Sequence, residues 1–117
     1  MSPKDLAARL LATFVDELEE QVRTLNAELL ALETTPDDAA RLQSVFRVAH
    51  TLKGAARAAN VPLAEQVCHR LEAVLAETRD GRARLDAGTF ETLFAAADAL
   101  ADAGRRLRAG QPLDDSP

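Results

Sequence analysis

Aromatic residues and cysteine are scarce in this chain, and their scarcity narrows the possible folds. Only 3% of the residues are aromatic although 47% are apolar, so the core must consist of Leu, Val and Ala. Such a composition suits closely packed helices better than a β-sandwich. Val, Thr and aromatic residues form no alternating runs, so we predict no strands. Cys68 is the one cysteine, which excludes an internal disulfide.

The chain lacks the sequence features that several functional classes require. The chain has no glycine-rich phosphate loop, and its 117 residues are too few for a kinase or ATPase catalytic domain. No apolar run approaches the roughly 20 residues of a membrane span, and the first residues do not resemble a signal peptide. The net charge of −5 argues against general nucleic-acid binding. We expect a cytoplasmic protein without nucleic-acid or membrane partners, monomeric as an isolated domain.

Two helix starts are marked by capping patterns. Ser2, with a proline after it and Asp5 three residues on, predicts the start of a first long helix. Thr35, with a proline after it and Asp38 three residues on, predicts Thr35 as the cap of the second helix. The first helix carries apolar residues at alternating spacings of four and three, which is typical of a bundle-facing seam. These residues are Leu11, Val15, Leu18, Val22, Leu25, Leu29 and Leu32.

Two further helices complete the predicted fold. The third should run from about Pro62 to Thr78, with Gly81 as its stop, and the fourth should begin near Asp86. The expected core stripe of the third helix is Leu63, Val67, Leu71, Val74 and Leu75. Short connections between four amphipathic helices favour an all-α, antiparallel up-down four-helix bundle. We assign this bundle to residues 1–109 and interpret residues 110–117 as a flexible linker or tail.

The second helix places His50 on a cationic face. A helix advances about 100° per residue, so Arg47, Lys53 and Arg57 fall within about 60° of His50 and away from the apolar side. Gly54 costs a helix interior about 1 kcal/mol relative to Ala, but it opens space for another protein beside the ring. Nearby cations would stabilise a phosphoryl group on His50. From helix geometry alone, a surface histidine with Gly54 serving helix packing explains the pattern equally well.

His69 and Glu72 form a second group on the third helix, where a spacing of three puts them on one face. If the second and third helices pack antiparallel, either side chain could lie beside His50. A carboxylate bonded to one ring nitrogen fixes the tautomer and leaves the other nitrogen free to attack. The alternative is a solvated Glu72 with His69 at a helix boundary. A zinc site with Cys68 is disfavoured, because Cys68 and His69 are adjacent and diverge by about 100°.

These residues together match a known motif. The stretch FRVAHTLKGAARAA, residues 46–59, resembles the phosphorylation motif of histidine phosphotransfer domains, and more narrowly the N-terminal phosphotransfer domain of CheA-type chemotaxis histidine kinases. That subfamily has an acceptor His, a Lys three residues on and a Gly four residues on, followed by a His and a Glu on the next helix. The matching positions here are His50, Lys53, Gly54, His69 and Glu72. The chain departs from the pattern at Arg57, where small residues are frequent, and at Asn60, near a common turn glycine.

The resemblance implies a role for each matched residue. His50 would accept a phosphoryl group through Nε2 from a histidine kinase catalytic domain, and an aspartate of a response-regulator receiver domain would take it onward. Glu72 would bind Nδ1, Lys53 would neutralise the phosphoryl oxygens, and His69 would support Glu72 or the local network. The expected docking surface comprises an exposed Phe46, Arg47, Gly54 and Arg57. The domain alone would be no enzyme and would need no cofactor, because the separate kinase domain would bind ATP.

A helical adaptor that binds proteins without phosphorylation is the alternative function. Such a domain would need no particular residue at positions 50, 53 and 72. The presence of His50, Lys53 and Glu72 therefore favours phosphotransfer over the adaptor.

Overall fold

The computed structural model describes residues 1–113 as a four-helix protein. The helices are α1 (Pro3–Thr34), α2 (Ala39–Ala58), α3 (Pro62–Arg79) and α4 (Ala87–Arg108). No strand occurs within the described residues. No helix in this part of the chain has the length and apolarity needed to cross a membrane.

The starts of the helices are set by side chains that cap free backbone amides. Ser2 and Asp5 form the predicted capping box, with the Ser2 Oγ accepting from the Asp5 amide at 3.2 Å. The prediction for α2 is wrong by three residues, because Asp38 is the cap and accepts from the Arg41 amide at 3.0 Å. Thr35 instead ends α1, where its amide donates to the Ala31 carbonyl. One threonine cannot close α1 and open a helix that begins four residues later.

Three helix ends close with a residue in the left-handed conformation. Gly81 and Gly110 have φ angles of 77° and 71°. Asn60 follows α2 with φ of 60°, and the next amide, that of Val61, donates to the Ala56 carbonyl at 2.9 Å. Asparagine is the residue that most often replaces glycine in this role. Asn60 therefore closes α2 although it is not a glycine.

Consecutive helices pack side by side, and α4 returns to contact α1. Arg108, the last residue of α4, binds Asp16 and Glu19 in the middle of α1, at 2.7 and 2.6 Å. Arg41, near the start of α2, binds Glu28, near the end of α1, at 3.2 Å. These contacts fit neighbouring helices that run in opposite directions. The predicted all-α four-helix bundle is confirmed.

The core is built almost wholly from leucine, valine and alanine, together with Phe14, Phe90 and Cys68. One predicted core residue is wrong, because Leu63 is 43% exposed. The stripe of α3 passes instead through Ala64, Cys68, Leu71 and Leu75, whose spacings of four, three and four keep them on one face. Leu63 lies one residue, and so about 100°, away from that stripe.

The segment after α4 turns back onto the bundle within the described residues. Leu113 is half-buried and packs against the core. The predicted tail covers residues 110–117, of which residues 114–117 lie outside the described part of the chain. The boundary at residue 109 remains a prediction.

Candidate functional site

His50 lies in the second half of α2 and points outward from the bundle. Its side chain is 67% exposed, whereas its neighbours Ala49 and Leu52 are fully buried. The alternation follows from the helical period, which turns the core residues of α2 away from His50. The imidazole is therefore open to a partner molecule.

A carboxylate from the next helix contacts this exposed ring. The Oε1 and Oε2 atoms of Glu72, on α3, lie 3.3 and 3.4 Å from Nδ1 of His50. The Glu72 side chain is only 13% exposed, because α2 and α3 pack closely around it. The predicted approach of Glu72 to His50 is therefore present in the structure.

Lys53 binds the same carboxylate from one turn further along α2. Its Nζ lies 2.9 Å from Oε1 of Glu72. Burial on its own would raise the pKa of Glu72, but hydrogen bonds with Lys53 and His50 outweigh burial and leave that pKa below its ordinary value. Glu72 is thus an ionised acceptor at neutral pH. The proton between Glu72 and Nδ1 must then belong to the ring, which leaves the lone pair on Nε2.

Gly54 gives no packing benefit within the domain. A Cβ built on Gly54 meets no atom within 4 Å, apart from its own helix backbone and chain neighbours. The interpretation that Gly54 serves helix packing is therefore not supported. A glycine in a helix interior, facing open space beside an exposed imidazole, fits the docking role predicted from the sequence.

His69 lies on α3 close to Lys53. It lines a shallow depression with Lys53, Arg57, Glu65 and Gln66. No hydrogen bond joins it to Glu72 within residues 1–113. Of the two roles expected for His69, support of Glu72 or of the local network, the second stays a prediction. His69 lies near the site through its shared depression with Lys53.

Phe46 departs from the expectation of an exposed ring. It is half-buried and packs against the core. The guanidinium of Arg79, in the last turn of α3, lies 5.1 Å from the centre of the ring, a cation–π distance. Sequence reasoning missed Arg79. The antiparallel packing of α2 and α3 could have indicated it. If residue 50 lies beside residue 72, the end of α3 lies close to Phe46.

Cys68 lies under the site and is fully buried. Burial, with the nearby Glu72 carboxylate, raises the pKa of its thiol to about 12. Such a thiol stays protonated and inert at neutral pH. Among the described residues, no group of three or more His, Cys, Asp and Glu side chains is placed to hold a metal ion.

Comparison with known proteins places the chain in a family. The family model described as "Hpt domain" matches residues 9–109. The chain belongs to the Hpt domain family. Its sequence is similar to chemotaxis protein CheA of Bacillus subtilis, at 37% identity over 90 residues, and to that of Halobacterium salinarum, at 36% over 90 residues. Each alignment covers 77% of this chain, but the chain spans only 13% and 14% of those relatives.

Solved structures show the same bundle. The CheA phosphotransferase domain from Thermotoga maritima superposes with a TM-score of 0.80 and 32% identity, covering 84% of this Hpt domain and 93% of that chain. The phosphorylated P1 domain of CheA3, solved in complex with CheY6 from R. sphaeroides, matches with a TM-score of 0.76 and 27% identity. That match covers 88% of this chain and 81% of the other. The bundle architecture of this Hpt domain is thus shared with CheA phosphotransfer domains.

Proposed function

We propose that this Hpt domain carries a phosphoryl group on His50 from an ATP-binding histidine kinase domain to a receiver domain of a response regulator. One observation carries the proposal: the ionised Glu72, whose side chain is only 13% exposed, holds Nδ1 of an exposed imidazole. Within residues 1–113, Nε2 of His50 has no hydrogen-bond partner. It is the nitrogen with a free lone pair and open access.

The first transfer would proceed by attack of Nε2 on ATP. The Nε2 lone pair forms a bond to the γ-phosphorus, the bond from that phosphorus to the bridging oxygen breaks, and ADP leaves with the electron pair. The ring keeps its proton on Nδ1 and becomes cationic. Glu72 stabilises this cation through the same hydrogen bond, 3.3 Å in the resting structure. The kinase domain would bind ATP, so the Hpt domain needs no cofactor of its own.

The second transfer would return His50 to its starting state. A carboxylate oxygen of the receiver's aspartate forms a bond to phosphorus, the phosphorus–nitrogen bond breaks, and its electron pair returns to Nε2. The lability of the phosphoramidate bond makes this transfer favourable. Lys53 would neutralise phosphoryl oxygens, a role that its position one turn from His50 permits. The domain would thus be a phosphocarrier of a cytoplasmic chemotaxis-like pathway and not an enzyme by itself.

A pulse-chase experiment tests this function. The domain is incubated with radiolabelled ATP and the kinase domain of a CheA relative, repurified, and mixed with a receiver protein. We expect acid-labile label on the domain and its movement to the receiver. A domain that never takes up label, although the kinase labels its own Hpt domain, would contradict the proposal and favour a helical adaptor.

A further inference from the structure

A shallow depression with one unpaired arginine, within the described residues, lies between α2 and α3 beside Lys53, near His50. It is lined by Lys53, Arg57, Glu65, Gln66 and His69, from α2 and α3, and we call it the Arg57 depression. Within the described residues, Lys53 is its only member whose side chain takes part in a hydrogen bond or ion pair, the one with Glu72. The other polar groups of the depression are available to a ligand.

Arg57 is the free positive charge of this depression. It is exposed and makes no ion pair within residues 1–113, not even with Glu65 across the same depression. A planar guanidinium is suited to binding a carboxylate through two parallel hydrogen bonds. Gln66 and His69 add further side-chain donors beside it. The side-chain donors of Arg57, Gln66 and His69 are together suited to binding a carboxylate.

The depression is placed to act together with His50. Arg57 follows His50 by seven residues, which is two helical turns, or about 10 Å along α2 and about 20° around it. Gly54 lies between them and leaves open space above the helix. A protein surface seated over Gly54 can therefore reach His50 and Arg57 at once.

Because the protein as a whole is acidic, local positive charge near His50 matters for the approach of an acidic partner. The chain carries a net charge of −5, so an acidic partner is repelled by the molecule as a whole. The face around His50 is an exception, because it presents two exposed arginines, Arg47 and Arg57, that have no ion pair within the described residues. Local charge of this kind orients an encounter and raises its rate.

We propose that the Arg57 depression binds a carboxylate side chain of the receiver domain that takes the phosphoryl group from His50. This inference rests on the proposed function. A receiver must bring its own acceptor carboxylate to His50, and a second carboxylate about 10 Å away would meet Arg57 and fix its orientation. Arg57 is then a specificity-determining residue and not a catalytic one.

Transfer from the phosphorylated domain to CheY6 of R. sphaeroides tests the proposal. In Arg57→Gln the second-order rate constant should fall about tenfold and become less sensitive to salt, while the rate at saturating CheY6 stays near that of the wild type. Glu65→Gln should raise the rate constant about twofold, because it removes a negative charge from the depression. Arg23→Gln, an exposed arginine on the outer face of α1, is the matched control and should change neither quantity.

The outcomes separate this proposal from the function on which it depends. A wild-type domain that takes up no phosphoryl group contradicts the proposed function itself. If the wild type transfers to CheY6 and Arg57→Gln transfers equally fast at every receiver concentration, the depression does not bind the receiver. Receiver binding at the depression is also ruled out if Arg57→Gln slows only phosphorylation by the kinase domain.

Discussion

Nδ1 of His50 lies 3.3 Å from Oε1 of Glu72, although the two residues belong to different helices and are 22 positions apart. The imidazole is largely exposed while the carboxylate is largely buried. One nitrogen of the ring is therefore held by the fold and the other is left to a partner. This division of the two nitrogens is what makes the bundle suited to phosphoryl transfer.

Replacing Glu72 with glutamine should slow phosphorylation without unfolding the domain. Glutamine keeps the shape and part of the hydrogen-bonding capacity of the side chain, but it cannot stabilise the cationic ring that forms as Nε2 takes the phosphoryl group. We expect a fall of about a hundredfold in the phosphorylation rate, at the lower end of the range for positioned acid–base groups. Measuring a phosphorylation time course for Glu72→Gln tests this.

The matched control is Glu77→Gln, which changes an exposed carboxylate on the same helix, α3. It should be phosphorylated at the wild-type rate. If Glu72→Gln also keeps that rate, Glu72 is only a structural carboxylate, and the role assigned to it in the transfer is wrong.

The stability of the domain should depend on pH through Glu72. Because its pKa is lower in the folded protein than in the unfolded chain, the folded state holds fewer protons, and the ionised carboxylate stabilises the fold above the unfolded pKa of about 4.3. That stabilisation is lost as the pH falls through the lower, folded pKa. Urea unfolding between pH 7 and pH 3 should show a shallower loss of stability in Glu72→Gln than in the wild type.

The Glu72→Gln protein should still lose some stability in acid. Glu19 and Asp86 also have lowered pKa values, through hydrogen bonds with Arg108 and with Thr89, and both remain in the variant. Identical pH profiles for the two proteins would show that the Glu72 carboxylate contributes no pH-dependent stability.

Gly54 should be dispensable for folding but needed for docking. Since a Cβ there meets nothing, Gly54→Ala should raise the free energy of unfolding by about 1 kcal/mol through helix propensity. Gly81→Ala should lower it, because the φ of 77° at Gly81 strains any residue with a side chain. Thermal or urea unfolding of both variants distinguishes the two glycines.

A larger residue at position 54 tests the docking role itself. Gly54→Leu should fold at least as firmly as the wild type, yet its phosphoryl transfer should drop sharply because the side chain obstructs a partner beside His50. Normal transfer by a folded Gly54→Leu protein would be incompatible with docking over this glycine.

The parts of the fold that local chemistry decides could be predicted from the sequence. Ser2 caps α1 as its capping pattern predicts, and α4 begins directly after Asp86, near its predicted start. The prediction for Thr35 is wrong because Thr35 ends α1, and Asp38 caps the start of α2 instead. The prediction for Leu63 is wrong because Leu63 and Ala64 are both apolar, so the sequence pattern does not show which of them faces the core. Packing between the helices decides this.

In the candidate site, too, positions within one helix could be predicted from the sequence, whereas contacts between helices depend on packing. Lys53 and Gly54 share a helix with His50, so their relative placement follows from about 100° per residue. The contact from Glu72 required an assumed antiparallel pairing, which the structure bears out. The antiparallel pairing indicates that the end of α3 lies near Phe46, but it does not decide that Arg79 is the side chain that covers the ring. Only the packed structure shows which flexible side chains cover which surfaces.

Whether His50 alone carries the phosphoryl group can be decided by comparing three proteins. The wild type, His50→Gln and His69→Gln are each incubated with ATP and a CheA kinase domain, and their intact masses are measured under alkaline conditions. We predict one added phosphoryl group on the wild type and on His69→Gln, and none on His50→Gln. A phosphoryl group retained by a folded His50→Gln protein would overturn the assignment of His50 as the sole acceptor.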